Sequence, residues 1–340
     1  MKKYLVTGGA GFIGSHLVRA LLRSPDAVSG QSPDVVSGQS PDAISGQSPD
    51  AVSGQQGAFV RVLDDFSTGR RENLVGLQID LVEGDLRDSA KVAEAVKGVD
   101  VIFHEAAFVS VPQSMDDPLT CFDINQRGTE ILLEAARKAG VGRIVLASST
   151  AVYGDSDALP VDEQTPLRPL SPYAVSKRVN ELYAEMYTRS FGVDVAALRY
   201  FNVYGPRQRP DSMYAAAVPI FVRRLLEGKP ITIYGDGRQT RDLVYVGDVV
   251  RANLAASEHS AAPGQVFNVC TGEETRVIDL IEALMDFFPF ALAPEFASPR
   301  PGDIYRSLGN PRKAAELLDF KATTCLKDGL KAVVDWMKIN

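Results

Sequence analysis

Apolar runs of strand length alternate with amphipathic runs of helix length through the first 150 residues. The apolar run Tyr4–Val6 predicts a first strand, and the apolar positions of Phe12–Leu22 recur at helical spacing. The same pattern predicts strands at Phe59–Leu63, Leu77–Val82, Val99–Phe103 and Arg143–Ala147, and helices at Ser89–Val96 and Pro118–Ala139. Strands that alternate with helices at this spacing indicate an α/β fold with a Rossmann-type doubly wound parallel sheet.

Residues 24–55 interrupt this pattern with four consecutive copies of an octapeptide, Ser-Pro-Asp-x-x-Ser-Gly-Gln. One proline per unit excludes a long helix, and two apolar residues per unit are too few to build a core. A small repeat module or a partner-binding arm is one interpretation. We favour a flexible insertion produced by repeat expansion, because it lies between the first helix and the second strand, at the amino ends of the strands.

The regular alternation ends near Tyr204, and the stretches beyond it are rich in proline, glycine and charged residues. We expect residues 1–200 to form the Rossmann domain. Residues 201–340 are expected to form mainly a smaller, mixed α/β lobe, with some segments returning to the first domain. This lobe is predicted to lie over the carboxyl ends of the strands, where it would bind substrate.

Three glycines, Gly8, Gly11 and Gly14, separate the first strand from the first helix at intervals of three residues. Gly8 permits a tight turn, Gly11 lets the backbone approach a pyrophosphate, and Gly14 lets the helix lie close to the strand. The amides that open the helix, including those of Phe12 and Ile13, would then face the phosphates. An ordinary strand-to-helix turn is the alternative, but the flanking strand and helix favour dinucleotide binding.

Asp64 ends the second predicted strand and indicates which dinucleotide binds. It follows Gly14 by 50 residues, and subtracting the 32-residue insertion leaves 18. That interval is close to the roughly 20 residues expected before the acid that binds the adenosine ribose. A carboxylate there accepts hydrogen bonds from both ribose hydroxyls and repels a 2′-phosphate. We therefore predict NAD rather than NADP as the cofactor.

Ser149, Tyr173 and Lys177 are the candidate catalytic residues. Ser149 follows the fifth predicted strand, and Tyr173 and Lys177 are four residues apart at the start of a helix, which places them on one face. A lysine ammonium near a phenol favours the phenolate, and an oxidised nicotinamide adds positive charge. Tyrosine is then able to act as a base near neutral pH. The YxxxK spacing occurs by chance on many helices, but its combination with the glycine motif and the serine makes chance improbable.

Composition excludes several other classes of protein. A net charge of -7 over 340 residues provides no basic surface for nucleic acid. The three cysteines are far apart and lack metal-ligand spacing, so we expect reduced thiols in a cytoplasmic protein and no metal site. No stretch approaches the length of a membrane span, and glycines with His16 break the apolar run behind Lys2-Lys3, which argues against a signal peptide.

Several motifs make the sequence resemble the extended short-chain dehydrogenase/reductase family over nearly its whole length. They are TGGAGFIGSH, LDDFSTG, EGDLRD, HEAA, SSTAVYG, SPYAVSK, LRYFNVYGPRQ, GDGRQTRDLVYVGDV and RPGD. Within that family the chain is most similar to the NAD-dependent nucleotide-sugar 4-epimerases, especially those that act on UDP-N-acetylhexosamines.

This resemblance implies roles for further residues. It implies cofactor contacts, beyond those already named, from Asp65, Ser67, Thr68, Gly69, Asp85, Leu86, Ala106, Ala107, Tyr173 and Lys177. It implies contacts to a UDP-sugar from Ser110, Val111, Asn125, Ser149, Thr150, Tyr173, Asn202, Arg207, Arg241, Arg300, Asp303 and Ser307. Arg241 and Arg300 would bind the diphosphate, whose oxygens match the guanidinium fork. A homodimer through the helices near 118–139 and 172–191 is also implied.

The reaction implied by the resemblance is reversible oxidation at C4 of a UDP-hexose, through a transient 4-keto sugar. Related dehydratases and decarboxylases carry carboxylates where this chain has Thr150 and Ala151, so it has no evident acid for elimination. Ser307 occupies a position that borders the C2 substituent in the resembling epimerases, and its small size leaves room for an acetamido group. UDP-N-acetylglucosamine and UDP-N-acetylgalactosamine are therefore predicted, alongside UDP-glucose and UDP-galactose. A UDP-glucuronate 4-epimerase, an oxidoreductase that releases NADH and a catalytically silent NAD-binding protein stay open as alternatives.

Overall fold

The computed structural model describes residues 2–23, 58–210, 216–299 and 304–340. The octapeptide insertion at 24–55 and two predicted substrate ligands, Arg300 and Asp303, lie outside the described residues. In the part of the chain that is described, no helix combines the length and the apolar character needed to cross a membrane.

Strands and helices alternate along the first 200 residues, and shorter elements follow. The strands are β1 (Lys3–Thr7), β2 (Phe59–Asp64), β3 (Asp80–Glu83), β4 (Val101–His104), β5 (Arg143–Ser149), β6 (Val195–Tyr200), β7 (Asn202–Tyr204), β8 (Thr232–Tyr234), β9 (Thr240–Arg241), β10 (Leu243–Tyr245), β11 (Val266–Val269), β12 (Thr275–Arg276) and β13 (Glu295–Ala297). The α-helices are α1 (Phe12–Arg23), α2 (Ser89–Val96), α3 (Val111–Asp116), α4 (Pro118–Phe122), α5 (Gly128–Ala139), α6 (Pro172–Phe191), α7 (Ala217–Leu226), α8 (Val246–Glu258), α9 (Val277–Met285), α10 (Arg312–Leu318) and α11 (Leu326–Ile339).

The central sheet confirms the predicted Rossmann-type architecture. Within the described residues seven strands pair in parallel, in the order β11-β6-β5-β4-β1-β2-β3. Thr7 of β1 pairs with Leu63 on one side and with His104 on the other. The chain runs outward in both directions from this central strand, so a crevice opens between the carboxyl ends of β1 and β4. Doubly wound sheets bind their ligands at this switch point.

Both faces of the sheet are covered, which explains why its strands are apolar along their length. On one face α1, α8 and α10 pack against side chains such as Val62, Phe103 and Phe267. On the other face α2, α5 and α6 pack against Ile102 and Ile144. A further apolar core joins α7, α9 and α11 to β8. Thus β11 and α8 belong to the layers of the sheet although they lie beyond residue 200, and the proposed division at residue 200 stays a prediction.

Most predicted elements agree with those observed to within two residues at each end, and two differ by more or are interrupted. The third strand begins at Asp80 rather than Leu77, because the amide of Leu77 closes a turn onto the carbonyl of Leu74 at 3.2 Å. The predicted helix 118–139 is interrupted by one wider, π-helical turn at Asp123–Arg127. Such turns are frequent at functional sites, and this one carries Asn125, a predicted substrate contact.

Candidate functional site

The turn between β1 and α1 requires glycine at two of the predicted positions. Gly8 has a φ of +67°, and a Cβ atom there would lie 2.7 Å from the backbone nitrogen of Ala106. A Cβ atom at Gly14 would overlap the carbonyl oxygen of Gly8 and approach its carbonyl carbon to 2.8 Å. The loop after β4 and the start of α1 therefore both pack directly on Gly8, at the switch point of the sheet.

The first turn of α1 has the geometry of a phosphate site. The amide of Gly11 bonds the Gly8 carbonyl at 3.0 Å, and the helix begins at Phe12, followed by Ile13. The first amides of a helix have no acceptor within the helix and lie at its positive dipole end. Among the described residues, a Cβ atom at Gly11 would meet only the Gly8 carbonyl oxygen, at 3.1 Å, so no other described side chain crowds this turn. These residues fit the pyrophosphate of a dinucleotide.

Asp64 stands at the end of β2, beside this turn. Its side chain is 6% exposed and accepts hydrogen bonds from the amides of Ala10 (2.8 Å) and Phe66 (2.9 Å). Burial raises the pKa of its carboxyl, and the two amides oppose that rise. Gly69 packs against both neighbours, since a Cβ atom there would lie 2.8 Å from Ala10 Cβ and from Asp64 Oδ1. The carboxylate is thus held at the end of β2 beside the glycine-rich turn, and its contact with a cofactor ribose stays a prediction.

The remaining predicted cofactor residues fall into three groups, which follow β2, β3 and β4. Asp65, Ser67 and Thr68 form an exposed loop after β2, in which Ser67 Oγ donates to Asp65 Oδ1 at 2.6 Å. Asp85 pairs with Arg87 at 2.5 Å, while Leu86 is buried. Ala106 and Ala107 follow β4 and are half-buried opposite Gly8.

The three candidate catalytic residues come together at the carboxyl end of β5. Ser149 is the last residue of that strand, and its hydroxyl is hydrogen-bonded to the side chain of Tyr173 in the first turn of α6. Lys177 lies one turn further along α6, with Nζ 5.8 Å from the centroid of the Tyr173 ring. Its ammonium donates to the carbonyl of Ala147 at 2.9 Å. The predicted stacking of Tyr173 and Lys177 on one helix face is therefore present.

Burial dominates the electrostatics of this group. It raises the pKa of Tyr173 to about 12, against the hydrogen bond from Ser149. It lowers the pKa of Lys177 to about 8, against the negative charge of Glu105. We expected Lys177 to favour the phenolate, but burial, opposed by the Ser149 hydroxyl, sets the pKa of Tyr173 above the usual value of a phenol. For Tyr173 to act as a base near neutral pH, a positive charge in addition to that of Lys177 would have to lower its pKa.

Asn125 and His104 lie beside these three residues, and the polar atoms of both side chains are engaged in hydrogen bonds. Asn125 Oδ1 accepts from the amide of Phe108 at 2.7 Å, and its Nδ2 donates to Ser176 Oγ at 2.9 Å. His104 lies between the hydroxyls of Thr7 (2.7 Å) and Thr129 (2.9 Å), and burial lowers its pKa to about 3. Both side chains are neutral and link the loop after β4 to α5 and α6.

Four further predicted substrate contacts, Ser110, Val111, Thr150 and Asn202, lie on separate segments of the chain. Ser110 caps α3 by accepting from the amide of Gln113 at 3.1 Å, and the adjacent Val111 is 39% exposed. Thr150 is half-buried directly after Ser149. Asn202 begins β7, and its buried Oδ1 has no hydrogen-bond partner among the described residues. A buried acceptor of this kind calls for a donor from a ligand or water.

Arg241 and Ser307 occupy neighbouring segments of the second half of the chain. Arg241 lies in β9, next to Thr240, whose amide donates to the carbonyl of Tyr305 at 2.9 Å. The carbonyl of Leu308 accepts from the amide of Val161 at 2.9 Å. The segment that carries the half-buried Ser307 is therefore held between β9 and the loop near Val161.

Arg207 lies beside α1. It adopts a left-handed backbone with a φ of +67°, and its Nη1 lies 3.4 Å from Nε2 of His16 on α1. The carbonyl of the preceding Pro206 is 2.9 Å from the same nitrogen. The contact of Arg207 with the sugar nucleotide stays a prediction.

Two groups of charged residues near the site, the half-buried Glu105 and the buried pair of Glu181 and Arg199, were missed by the sequence analysis. Glu105 accepts a hydrogen bond from Tyr200 at 2.7 Å. Glu181 and Arg199, 0% and 2% exposed, form an ion pair at 2.7 Å, and Glu181 also accepts from Ser148 at 2.7 Å. The sequence signal that could have found them is a charged residue at the end of an apolar run, as Glu105 in HEAA, or within one, as Arg199 in LRYF.

Comparison with known proteins places this geometry among sugar-nucleotide enzymes. A family model described as "NAD dependent epimerase/dehydratase family" matches residues 4–270. The putative UDP-glucose 4-epimerase of Methanocaldococcus jannaschii is 39% identical, covering 99% of this chain and 98% of that protein. The UDP-glucose 4-epimerase of Mycolicibacterium smegmatis is 38% identical, covering 98% of each. The structure of UDP-N-acetylglucosamine 4-epimerase from Methanobrevibacter ruminantium M1, in complex with UDP-N-acetylmuramic acid, is 32% identical with a TM-score of 0.87, covering 99% of this chain and 98% of that one.

Proposed function

The chain belongs to the NAD dependent epimerase/dehydratase family, and from that premise we propose that it inverts the configuration at C4 of a UDP-hexose. The family description agrees with NAD as the predicted cofactor, and the names of the relatives agree with the predicted class of enzyme, an isomerase. The observation that carries the proposal is the convergence of Ser149, Tyr173 and Lys177 at the carboxyl end of β5, the same end of the sheet as the glycine-rich turn that follows β1.

In this proposal Tyr173 removes the proton of the sugar's 4-hydroxyl and later returns it. Bound NAD supplies a reversible hydride acceptor and, when oxidised, a positive charge. The ammonium of Lys177 adds its own positive charge on the same helix face, which offsets the burial that raises the pKa of Tyr173 to about 12. Ser149 holds the phenol in place. The resulting 4-keto sugar turns over in the pocket, so that reduction on its other face inverts C4.

The residues after Ser149 favour epimerisation over elimination. Thr150 and Ala151 carry no carboxylate, so this part of the pocket offers no acid to expel a leaving group. The alternative of a net oxidoreductase predicts one NADH released per sugar oxidised. Incubating the purified enzyme with each UDP-sugar and measuring both C4 inversion and free NADH separates the two functions. Stoichiometric NADH without inversion would contradict the epimerase, and neither product with any UDP-sugar would favour the silent NAD-binding protein.

The sugar specificity follows from Ser307 in the same proposal. Its small side chain leaves space for an acetamido group at C2, so UDP-N-acetylglucosamine and UDP-N-acetylgalactosamine are substrates alongside UDP-glucose and UDP-galactose. Ser307→Tyr then removes activity on the acetylated pair and spares the plain pair, because steric overlap penalises only the larger group. The exposed Ser260 provides the control, Ser260→Tyr. If the ratio of kcat/KM for the two pairs is the same in both variants and in the parent, Ser307 is not in the pocket wall.

The assembly proposed is a homodimer through α4 and α6. These two helices pack side by side and expose apolar side chains toward solvent. Leu119, Phe122, Val175 and Leu182 are 77%, 48%, 43% and 47% exposed. Neighbouring large apolar side chains exposed to this degree are typical of a surface that a second subunit covers.

A further inference from the structure

Glu105 directly follows β4, at the crevice between the carboxyl ends of β1 and β4. His104, the last residue of β4, pairs with Leu146, so Glu105 lies level with Ala147 of β5. A Cβ atom at Gly8 would come within 3.0 Å of the carbonyl carbon of Glu105. This half-buried acid therefore stands at the switch point, between the glycine-rich turn and the strand that leads to Ser149.

A polar cluster on one face of the sheet fixes the carboxyl of Glu105. Tyr200 Oη donates to Glu105 Oε1 at 2.7 Å, and it accepts from Nδ2 of Asn253 on α8 at 2.8 Å. The same Nδ2 donates to the carbonyl of Val249, at 2.9 Å. Because Asn253 is buried and Tyr200 only 7% exposed, the carboxyl cannot turn away without breaking a buried hydrogen bond.

Lys177 reaches the same strand position from the opposite face. Its side chain comes from α6, is 4% exposed, and donates to the carbonyl of Ala147 at 2.9 Å. That carbonyl orients the ammonium but does not neutralise it. An acid and an ammonium thus converge at the level of Ala147, one held by α8 and β6 and the other by α6.

We propose that Glu105 is a positioning residue that keeps Lys177 protonated and thereby sets the pH window in which Tyr173 works. The inference rests on the proposed function and deepens it. Glu105 touches neither the sugar nor Tyr173 in this account. It acts through the charge that it places near Lys177.

The charges around the cluster support this assignment. Burial lowers the pKa of Lys177 to about 8, and Glu105 opposes that fall. Burial raises the pKa of Glu105 to about 7, and Lys177 opposes that rise. The negative charge of Glu105 also raises the pKa of Tyr173. Ionised Glu105 therefore shifts the titrations of both Tyr173 and Lys177 to higher pH.

The other titratable groups around the cluster are neutral near pH 7. From β4, His104 has a pKa lowered by burial to about 3. From α4, burial raises the pKa of the Cys121 thiol. From β6, burial holds the pKa of Tyr200 well above the usual value of a phenol. Of the groups that face Lys177, Glu105 is thus the one that carries the opposing charge.

Glu105→Gln tests the proposal with little change in shape, since the amide oxygen still accepts from Tyr200. The loss of the charge lowers the pKa of Tyr173 and of Lys177, so both limbs of the pH profile of kcat/KM move to lower pH, by about one pH unit. A purely structural defect lowers the height of the profile and leaves its limbs in place. Glu105→Asp keeps the charge and restores the limbs toward the parent values. Glu163→Gln is the matched control. Burial raises the pKa of Glu163, as it does that of Glu105, but the Glu163 carboxylate accepts its hydrogen bond from the backbone amide of Asn268 on β11.

A second measurement needs no turnover. Protein labelled with ¹³C at lysine Cε is titrated by NMR, and the resonance missing in Lys177→Met identifies Lys177. We expect Lys177 to titrate at lower pH in Glu105→Gln than in the parent and in Glu163→Gln. An unchanged titration of Lys177 in a folded Glu105→Gln protein overturns the inference. A parent enzyme with no epimerase activity overturns the proposed function instead, and the NMR titration still decides the role of Glu105.

Discussion

At the scale of single residues, the site separates groups that titrate from groups that only orient. Asn125 is 1% exposed and bonded on both amide atoms, and His104 is held by two hydroxyls. Their hydrogen-bonding atoms are occupied, the Asn125 amide does not titrate, and burial lowers the pKa of His104 to about 3, so neither side chain exchanges protons near neutral pH. The exchange of protons is left to Tyr173, Lys177 and Glu105, whose pKa values burial moves toward or away from neutrality.

Tyr173→Phe removes only the phenol oxygen. We expect the rate of C4 inversion to fall by at least about 100-fold, the lower range for loss of a general base, with NAD still bound. Turnover with UDP-sugars and the NAD content of the purified protein are the two measurements. Tyr183→Phe, on the same helix and with a hydroxyl 3.5 Å from Glu130, is the control and should keep full activity. A near-normal rate in Tyr173→Phe would remove this residue from the base role.

At the scale of elements, the turn from β1 to α1 and the buried ion pair of α6 and β6 hold the site together. Position 14, where α1 approaches Gly8, accepts only glycine, because a Cβ atom there would overlap the Gly8 carbonyl oxygen. The ion pair joins the helix of Tyr173 to the strand beside β5, through Glu181 and Arg199. Because Glu181 also bonds Ser148, the same contact fixes the residue before Ser149.

Gly14→Ala tests the close packing of α1 on β1. The new methyl group would overlap the Gly8 carbonyl, so the helix must shift, at a cost of about 1–3 kcal/mol in stability. We expect NAD affinity to fall more than tenfold, as measured by calorimetry on protein stripped of cofactor. Gly142→Ala is the control, because its Cβ would meet only Asp100 O at an ordinary 3.5 Å. Equal NAD affinity in the two variants would show that the turn tolerates a side chain.

Glu181→Gln breaks the buried pair and leaves the Arg199 guanidinium without its counter-charge. Such losses typically cost about 3–5 kcal/mol, and we expect that decrease in the free energy of unfolding measured with urea. The contrasting variant is Glu316→Gln, whose partner Arg312 is 78% exposed. It should change stability by less than about 0.5 kcal/mol. If the free energy of unfolding decreases by the same amount in both variants, the buried pair contributes no more to stability than the exposed pair.

At the scale of the whole molecule, the site lies at the carboxyl ends of the strands, and the octapeptide insertion is attached at the opposite edge. The insertion follows Arg23, at the end of α1, and precedes Phe59, at the start of β2. The apolar surface of α4 and α6 is a third region, formed by exposed residues that include positions on the same helix as Tyr173 and Lys177. Catalysis, insertion and assembly are therefore tested by separate variants.

Deleting residues 24–55, all four repeats, should leave epimerase activity unchanged. A loop shortened by this much gains only about 2 kcal/mol in closure entropy, and the change falls at the amino ends of the strands. Removing a single unit, 25–32, serves as the intermediate variant. Steady-state kinetics on soluble, folded protein is the measurement, and a large loss of activity would reveal a role for the repeats.

The double variant Phe122→Glu, Leu182→Glu should convert the proposed homodimer into monomers. The two added carboxylates make it unfavourable to bury the apolar surface of α4 and α6 against a second subunit. Light scattering after gel filtration gives the molar mass. Phe290→Glu is the control, since Phe290 is 96% exposed in the segment after α9. A parent protein that is already monomeric, or a variant that stays dimeric, would rule out this interface.

The sequence by itself determined the features that depend on local spacing. The strand, turn and helix of the first 23 residues could be predicted because glycine spacing and apolar period act over a few bonds. The stacking of Tyr173 and Lys177 followed from the helical period alone. The parallel sheet followed from the alternation of elements. The apolar run placed Asp64 at the end of β2, and subtracting the repeats brought its interval from Gly14 to 18 residues, from which NAD was predicted.

Only the tertiary structure decided which distant segments meet. Glu105 and Tyr200 are 95 residues apart, and β11 joins the sheet beside β6 although it follows the irregular stretches beyond Tyr204. The wider turn at Asp123–Arg127 likewise serves a contact between Asn125 and Ser176, 51 residues away. Such pairings depend on the path of the whole chain, and local pattern carries no information about it. Burial is also a property of the assembled core, which is why the pKa of Tyr173 rises where spacing alone predicted a fall.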